Sequence, residues 1–169
     1  MTGFPPDIDQ YLSQESPAPG APDSPAPMAD PYVEAVREVL NAKYAVLLAY
    51  IAYGDQLRVV DRDGLHRHFR DHIEEERDWI YALHRTLAAR GEAHFPTGVS
   101  VPSPPLADPR PLLEALLALE KQALGAWEAL ASAAEAQPER LALSGFAQEG
   151  ARVELTHIED LQRWLGGVR

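Results

Sequence analysis

Four long stretches of this sequence place apolar residues three and four positions apart, and the connections between them differ sharply in length. Such spacing is typical of amphipathic α-helices, each of which buries one apolar stripe. A short turn at 61–64 joins the first two helices, and another at 137–139 joins the last two. Because short turns join antiparallel neighbours, the sequence predicts two helical hairpins.

The connection between the two hairpins is long, at about 19 residues (91–109), and it contains five prolines and no helical period. An extended chain of this length, at about 3.3 Å per residue, spans a helix of about 27 residues, or about 40 Å. The second and third helices therefore run parallel. The expected fold class is all-α: an antiparallel four-helix bundle with one long crossover between its second and third helices.

Residues 1–30 differ in composition from the rest of the chain. They hold seven of the fifteen prolines and five acidic residues, with no lysine or arginine. Such a segment buries too little apolar surface to offset its ordering entropy. We therefore expect a disordered acidic arm at 1–30 and the bundle at 31–169. A short apolar patch, Ile8, Tyr11 and Leu12, leaves open whether the arm is a passive tail or binds a protein partner.

Composition excludes several kinds of function. The absence of cysteine excludes disulfides, zinc–thiolate sites and iron–sulfur clusters. A net charge of −11 argues against nucleic-acid binding, which needs clustered lysine and arginine. No apolar run approaches the roughly 18–20 residues of a membrane span, and the N-terminus has no signal-peptide pattern. The sequence predicts a cytoplasmic protein without a membrane partner.

Polar residues interrupt the apolar stripe of every helix near its middle. They are Lys43 in the first helix, Glu76 in the second, Glu120 in the third, and Glu154 with His157 in the fourth. Positions at mid-length share one level of a bundle, and a spacing of three residues puts Glu154 and His157 on one face. A buried carboxylate is costly unless it is paired or binds a cation. Carboxylates with an imidazole in a dry core suit iron or, alternatively, manganese.

Three segments carry a family resemblance: 40–44 with the following Tyr50, 68–76, and Glu154 through His157. They are similar to the helix patterns of ferritin-like proteins of the bacterioferritin and rubrerythrin type, over residues 32–166. The resemblance implies a di-iron carboxylate centre with iron oxidation or iron handling as the activity. It implies metal ligation by Glu76, Glu120, Glu154 and His157, with Tyr50 as the tyrosine often found near that site.

Two positions depart from the family pattern. Lys43 stands where the first helix has a glutamate, and Trp79 stands where the second helix has a histidine. Replacing a carboxylate by an ammonium changes the local charge by two units, which disfavours a two-metal centre. Trp79 removes a ligand and fills volume. Arg77 occupies the position of the methionine that ligates haem in some members, so no haem is expected.

Other residues near the centre admit two interpretations. His72 is either a substituting ligand or a partner of Glu76 one turn away. Glu75 with Asp78 forms an alternative glutamate register, but it lies off the apolar stripe and is set aside. Four further histidines are expected at the surface: His66, His68, His84 and His94.

Two functions remain open at this point, and no catalytic residue is assigned. In the first, the protein is an iron-handling oxidoreductase: Fe(II) binds the carboxylate/histidine centre and dioxygen oxidises it there. In the second, the protein is a metal-free structural or interaction protein in which Lys43 salt-bridges the core carboxylates. If the Lys43 ammonium lies within salt-bridge distance of these carboxylates, the second function is expected; if it points away, the first remains open. A homo-oligomer, at least a dimer, is expected, with exposed Tyr53, Val59 and Val60 forming its seam.

Overall fold

The computed structural model describes residues 30–59, 63–103, 108–136 and 141–167, and the predicted arm lies outside this range apart from Asp30. The described residues form four helices and no strand: α1 Pro31–Val59, α2 Asp63–Ala88, α3 Pro109–Glu135 and α4 Leu141–Gly167. The predicted all-α fold is therefore confirmed. None of these helices is both long and apolar enough to cross a membrane.

Local sequence signals set the helix ends. The Asp30 carboxylate accepts a hydrogen bond from the Tyr32 amide at 3.0 Å, and Asp108 caps α3 in the same way through the Arg110 amide at 2.9 Å. Such caps satisfy amides that have no partner within the helix. After α2 the chain turns at Gly91, whose φ of +70° is the left-handed conformation that glycine adopts without strain.

Two apolar clusters fill the bundle, one towards each end. The upper cluster joins the first half of α1 to the second halves of α2 and α3 and the first half of α4. The lower cluster joins the opposite halves of the same helices. This pairing requires α2 and α3 to run parallel and α1 and α4 to oppose them, as the long crossover predicts. The buried polar residues of mid-helix lie between the two clusters.

The crossover follows α1 along its length. Glu92 pairs with Arg37 at 2.8 Å, His94 lies 2.8 Å from the Asn41 side chain, and the Pro102 carbonyl accepts a hydrogen bond from the Tyr53 hydroxyl at 2.6 Å. These contacts bury Tyr53, which is 1% exposed. The prediction that Tyr53 is exposed at a dimer seam is thus wrong, because the crossover covers it. The side chain of Val59 and the whole of Val60 lie outside the described residues.

The apolar stripes are close to those predicted but rotated in places. The spacing of apolar residues in α1 predicts that Ile51 lies inside with Leu47 and Tyr50, but Ile51 is 44% exposed, because it lies about 100° around the helix from its buried neighbour Tyr50. On α3, Leu117 and Leu124 are only half-buried, and the inner stripe consists of Leu113, Leu116, Glu120, Ala123 and Trp127.

Candidate metal centre

The structure brings the five predicted polar residues of the core together. Lys43, Glu76, Glu120 and Glu154 are 0% exposed and His157 is 2% exposed. Each helix contributes at least one of these residues. It lies on the inward-facing apolar stripe of the helix, at the level between the two apolar clusters. A group of three carboxylates, one ammonium and one imidazole is thereby removed from water, where charge interactions are strong.

Lys43 is held between two of these carboxylates. Its Nζ donates hydrogen bonds to Glu76 Oε1 at 2.6 Å and to Glu154 Oε1. Burial by itself would lower the pKa of Lys43, but the charges of Glu154, Glu76 and Glu120 raise it above the ordinary value. The side chain is therefore a cation. It lies within salt-bridge distance of the carboxylates, which is the geometry expected of a metal-free core.

His157 connects the centre to a fourth carboxylate. Its Nε2 lies 3.3 Å from Glu75 Oε2, while its Nδ1 lies 3.5 Å from one oxygen each of Glu76 and Glu120. Glu75, which was set aside as a ligand of the alternative register, is 16% exposed and contacts His157 because α4 approaches α2 closely at this level. Asp78 contacts Arg77 instead. Burial alone would lower the pKa of His157, and the surrounding carboxylates, Glu120 foremost, raise it well above its usual value.

Two aromatic side chains, Tyr50 and Trp127, each donate a hydrogen bond to one carboxylate of the centre. The Tyr50 hydroxyl donates to Glu120 Oε1 at 2.6 Å, which places Tyr50 at the centre as expected. The Trp127 indole N–H donates to Glu154 Oε1 at 3.1 Å. The apolar period of α3 predicts Trp127 only as a core or interface aromatic, without a role at the centre. The available signal was its position two turns after Glu120, on the same face of α3.

Trp79 and His72 flank the centre without joining its carboxylates in the described contacts. Trp79 lies in the upper apolar cluster, with its ring 5.2 Å from that of Trp127, so it fills volume as predicted. His72 does not bond Glu76 as one interpretation expected. Its Nε2 lies 3.0 Å from the Nε2 of His68, and burial lowers the pKa of His72 to about 2.

His68 is half-buried through this contact with His72, so its placement at the surface was only partly right. Three other histidines bond neighbouring helices or loops instead of standing free: His66 with the Gly54 carbonyl, His84 with the Tyr44 hydroxyl and His94 with Asn41.

The three carboxyl groups differ in their protonation. Burial raises the pKa of Glu76 to about 7 and that of Glu154 to about 8, although Lys43 opposes both shifts. Burial would also raise the pKa of Glu120, but hydrogen bonding with Glu154 and the positive charge of His157 lower it below its ordinary value. In the metal-free protein at neutral pH, the centre therefore carries fewer than three negative charges.

Four ligand-type atoms at the centre have no hydrogen-bond partner among the described residues. They are the Oε2 atoms of Glu76, Glu120 and Glu154 and the Nδ1 atom of His157. These same four residues each offer one ligand atom within 4.8 Å of the others. Buried polar atoms without hydrogen-bond partners cost free energy, and a cation bound to these four atoms would remove that cost. The donor set fits one metal ion, whereas Lys43 and Trp79 leave a second without its ligands.

A four-helix bundle with one long crossover and a buried centre of carboxylates and histidine defines the class of ferritin-like proteins. The family model of the ferritin-like domain matches residues 33–169, and the chain belongs to this family. No curated protein matches the sequence.

Two solved structures share the fold. One is a crystal structure of ferritin-like, diiron-carboxylate proteins from Bacillus anthracis str. Ames, with a TM-score of 0.74 and 20% identity, covering 82% of this chain and 99% of that one. The other is Chlorobium tepidum ferritin, with a TM-score of 0.71 and 18% identity, covering 83% of this chain and 85% of that one.

Proposed function

We propose that this chain is an iron-binding ferritin-like protein whose centre holds one divalent ion instead of two. The observation that carries the proposal is the set of four buried ligand atoms without partners, on Glu76, Glu120, Glu154 and His157. Three carboxylates and one imidazole suit Fe(II), with Mn(II) as the alternative. The diiron-carboxylate neighbour and the family support iron as the metal.

The charge balance supports a single ion. Three ionised glutamates carry three negative charges, and the Lys43 ammonium neutralises one of them. One divalent ion neutralises the remaining two, whereas a second ion would leave two uncompensated positive charges in a dry core. Lys43 thus takes over the charge that a second metal would supply, and its hydrogen bonds to Glu76 and Glu154 hold these two side chains in place.

The residues around the ligands support metal binding as well. In the neutral ring that binds a metal, the Nε2–H of His157 would donate a hydrogen bond to Glu75, and the Nδ1 lone pair would lie on the side of Glu76 and Glu120. A carboxylate in this position fixes the tautomer of a metal-binding histidine and raises its basicity. Tyr50 and Trp127 orient Glu120 and Glu154 in the same way. Iron bound there would supply one-electron redox chemistry, and the buried surroundings would keep bulk water away from it.

Anaerobic titration with Fe(II) tests the proposal. We expect one ion at this centre, so the double variant Glu154→Ala/His157→Ala should bind one Fe(II) fewer per chain than the wild type. Glu159→Ala, an exposed substitution on the same helix, should bind as many as the wild type. Oxygen consumption on admitting air, measured in the same three proteins, tests Fe(II) oxidation. A wild-type rate no higher than that of the double variant would contradict the oxidation, and equal Fe(II) binding by both would contradict the site.

The second candidate is a metal-free structural or interaction protein. The contact of Lys43 with both Glu76 and Glu154 favours it, because an ammonium can neutralise carboxylates that a metal would otherwise neutralise. It requires purified protein without bound iron and an unfolding midpoint that does not change when Fe(II) is added anaerobically. The proposed single-ion centre requires a rise in that midpoint, since a ligand that binds only the folded state stabilises it.

We further propose a homo-oligomer, at least a dimer, located in the cytoplasm and free of haem. Leu48 and Ile51 are exposed apolar residues of α1 that a second copy could cover, at 42% and 44% exposure. Light scattering on the purified protein measures the assembly, and a monomer at all concentrations would contradict it. Replacement of both residues by glutamine should shift the assembly towards monomer.

A further inference from the structure

A second group of metal-ligating side chains lies between the centre and the bundle surface. His68 and His72 project from α2, one helical turn apart, towards Asp160 on α4, and each of the three offers a ligand atom within 4.8 Å of the others. Two histidines and one carboxylate form the donor set with which many proteins bind non-haem Fe(II). None of the three belongs to the four ligands of the proposed centre.

The two imidazoles are spaced as ligands of one ion. Their Nε2 atoms lie 3.0 Å apart. Two nitrogens bound to one metal at about 2.0–2.1 Å are separated by about 2.9–3.4 Å in octahedral or tetrahedral geometry.

His72 also offers a nitrogen on its other side, towards Glu75 and the inner centre. It is 7% exposed, and its Nδ1 atom has no hydrogen-bond partner among the described residues. The nearest acidic oxygen, Glu75 Oε2, is 3.8 Å away. On the outer side, Asp160 is paired with Arg163 at 2.6 Å, but the Arg163 side chain is 74% exposed. Water therefore screens this competing cation, and its long side chain is free to move away.

A continuous line of imidazoles joins this group to the centre. The ring centroid of His72 lies 4.2 Å from that of His68 and 4.1 Å from that of His157. Between them, His72, Glu75 and His157 form a further group whose ligand atoms lie within 4.8 Å of one another. Potential ligand atoms therefore form a continuous series from the half-buried His68 to the fully buried carboxylates.

We propose that His68, His72 and Asp160 bind a divalent first-row transition ion near the bundle surface and deliver it to the inner centre. The binding step stands on this group alone, whereas the delivery step rests on the proposed function. The line of imidazoles gives the ion nitrogen ligands along the whole path, so it need not cross apolar surroundings without ligands.

Anaerobic equilibrium dialysis with Co(II), a divalent first-row ion, tests the binding step. The full chain should bind two ions. His68→Ala and Asp160→Asn should each bind one, and so should the inner double variant Glu154→Ala/His157→Ala. His66→Ala is the matched control: it removes an imidazole two residues away that bonds the Gly54 carbonyl, and it should still bind two. Circular dichroism verifies that each variant is folded.

The outcomes separate the two sites. One ion per chain, lost in the inner double variant but retained in His68→Ala, would overturn the outer site and leave the proposed function intact. One ion lost in His68→Ala and retained in the inner double variant would support the outer site and contradict the proposed function. Loss of an ion in His66→Ala as well would show that the loss in His68→Ala is not specific to this group, and would overturn the assignment of the ion to it.

Stopped-flow mixing with Co(II) tests the delivery step through the visible absorption of the bound ion. In His68→Ala, the inner centre should fill at least tenfold more slowly than in the full chain or in His66→Ala, and to the same final occupancy, measured by the part of the absorbance change that the inner double variant lacks. An unchanged rate in His68→Ala would overturn delivery by this route.

Discussion

At the scale of single residues, Lys43 determines what the centre can bind. Its ammonium is fully buried and bonds two carboxylates, so it cannot be removed without leaving buried negative charge behind. Buried ion pairs add little net stability, but removing one partner is costly, because the other partner remains out of water. When the three carboxylates are ionised, the single positive charge of Lys43 leaves two negative charges, which one divalent ion would neutralise.

Replacing Lys43 by methionine should therefore destabilise the metal-free protein by about 3–5 kcal/mol at neutral pH, the range for one half of a buried ion pair. Urea denaturation measures the free energy of unfolding. The only other lysine of the chain, Lys121, is exposed on α3, and Lys121→Met should change stability by less than about 0.5 kcal/mol. Equal effects of the two substitutions would show that the ammonium does not stabilise the carboxylates.

At the scale of elements, the approach of α4 to α3 depends on one glycine. Gly150 lies against the Trp127 indole, and a β-carbon there would come within 2.6 Å of two ring atoms. The missing side chain leaves space for the indole, whose N–H reaches Glu154. The glycine in the middle of α4 is thus explained by its packing against Trp127. Through the hydrogen bond of Trp127 to Glu154, this packing also affects the centre.

Gly150→Ala should destabilise the protein by about 1–3 kcal/mol, because the indole must move from its place. Gly125→Ala is the matched control, since nothing lies within 4 Å of a β-carbon there. It should stabilise α3 by about 0.5–1 kcal/mol through helix propensity. Thermal denaturation of both variants measures the difference. A stabilised Gly150→Ala variant would contradict the close contact with Trp127.

At the scale of the whole molecule, the buried charges give the metal-free protein an unusual dependence of stability on pH. The pKa values of Glu76 and Glu154 are raised to about 7 and about 8, so the unfolded chain releases these protons at lower pH than the folded protein does. Their stabilising contribution is full below the unfolded value and is lost as pH rises through the folded values. His157, whose pKa is also raised, acts in the same direction.

The free energy of unfolding should therefore fall between pH 6.5 and 8 in the metal-free protein. The opposing groups, Glu120 and His72, have pKa values lowered in the fold, so their contributions are lost only below about 4.5 and 6.5. Urea titrations at several pH values measure the trend, and Glu154→Gln should flatten it. Stability that rises over this range in metal-free protein would contradict the protonation of these carboxyl groups.

The sequence by itself determined the four helices, their order and the long crossover, because apolar period and loop length are local properties of the chain. It also indicated Lys43, Glu76, Glu120, Glu154 and His157, since polar residues on apolar stripes must meet inside a bundle. Only the tertiary structure decided which atoms pair, because pairing depends on the rotation of each helix about its axis. That rotation brought Glu75 and Trp127 to the centre and exposed Ile51, and no spacing within one helix encodes it.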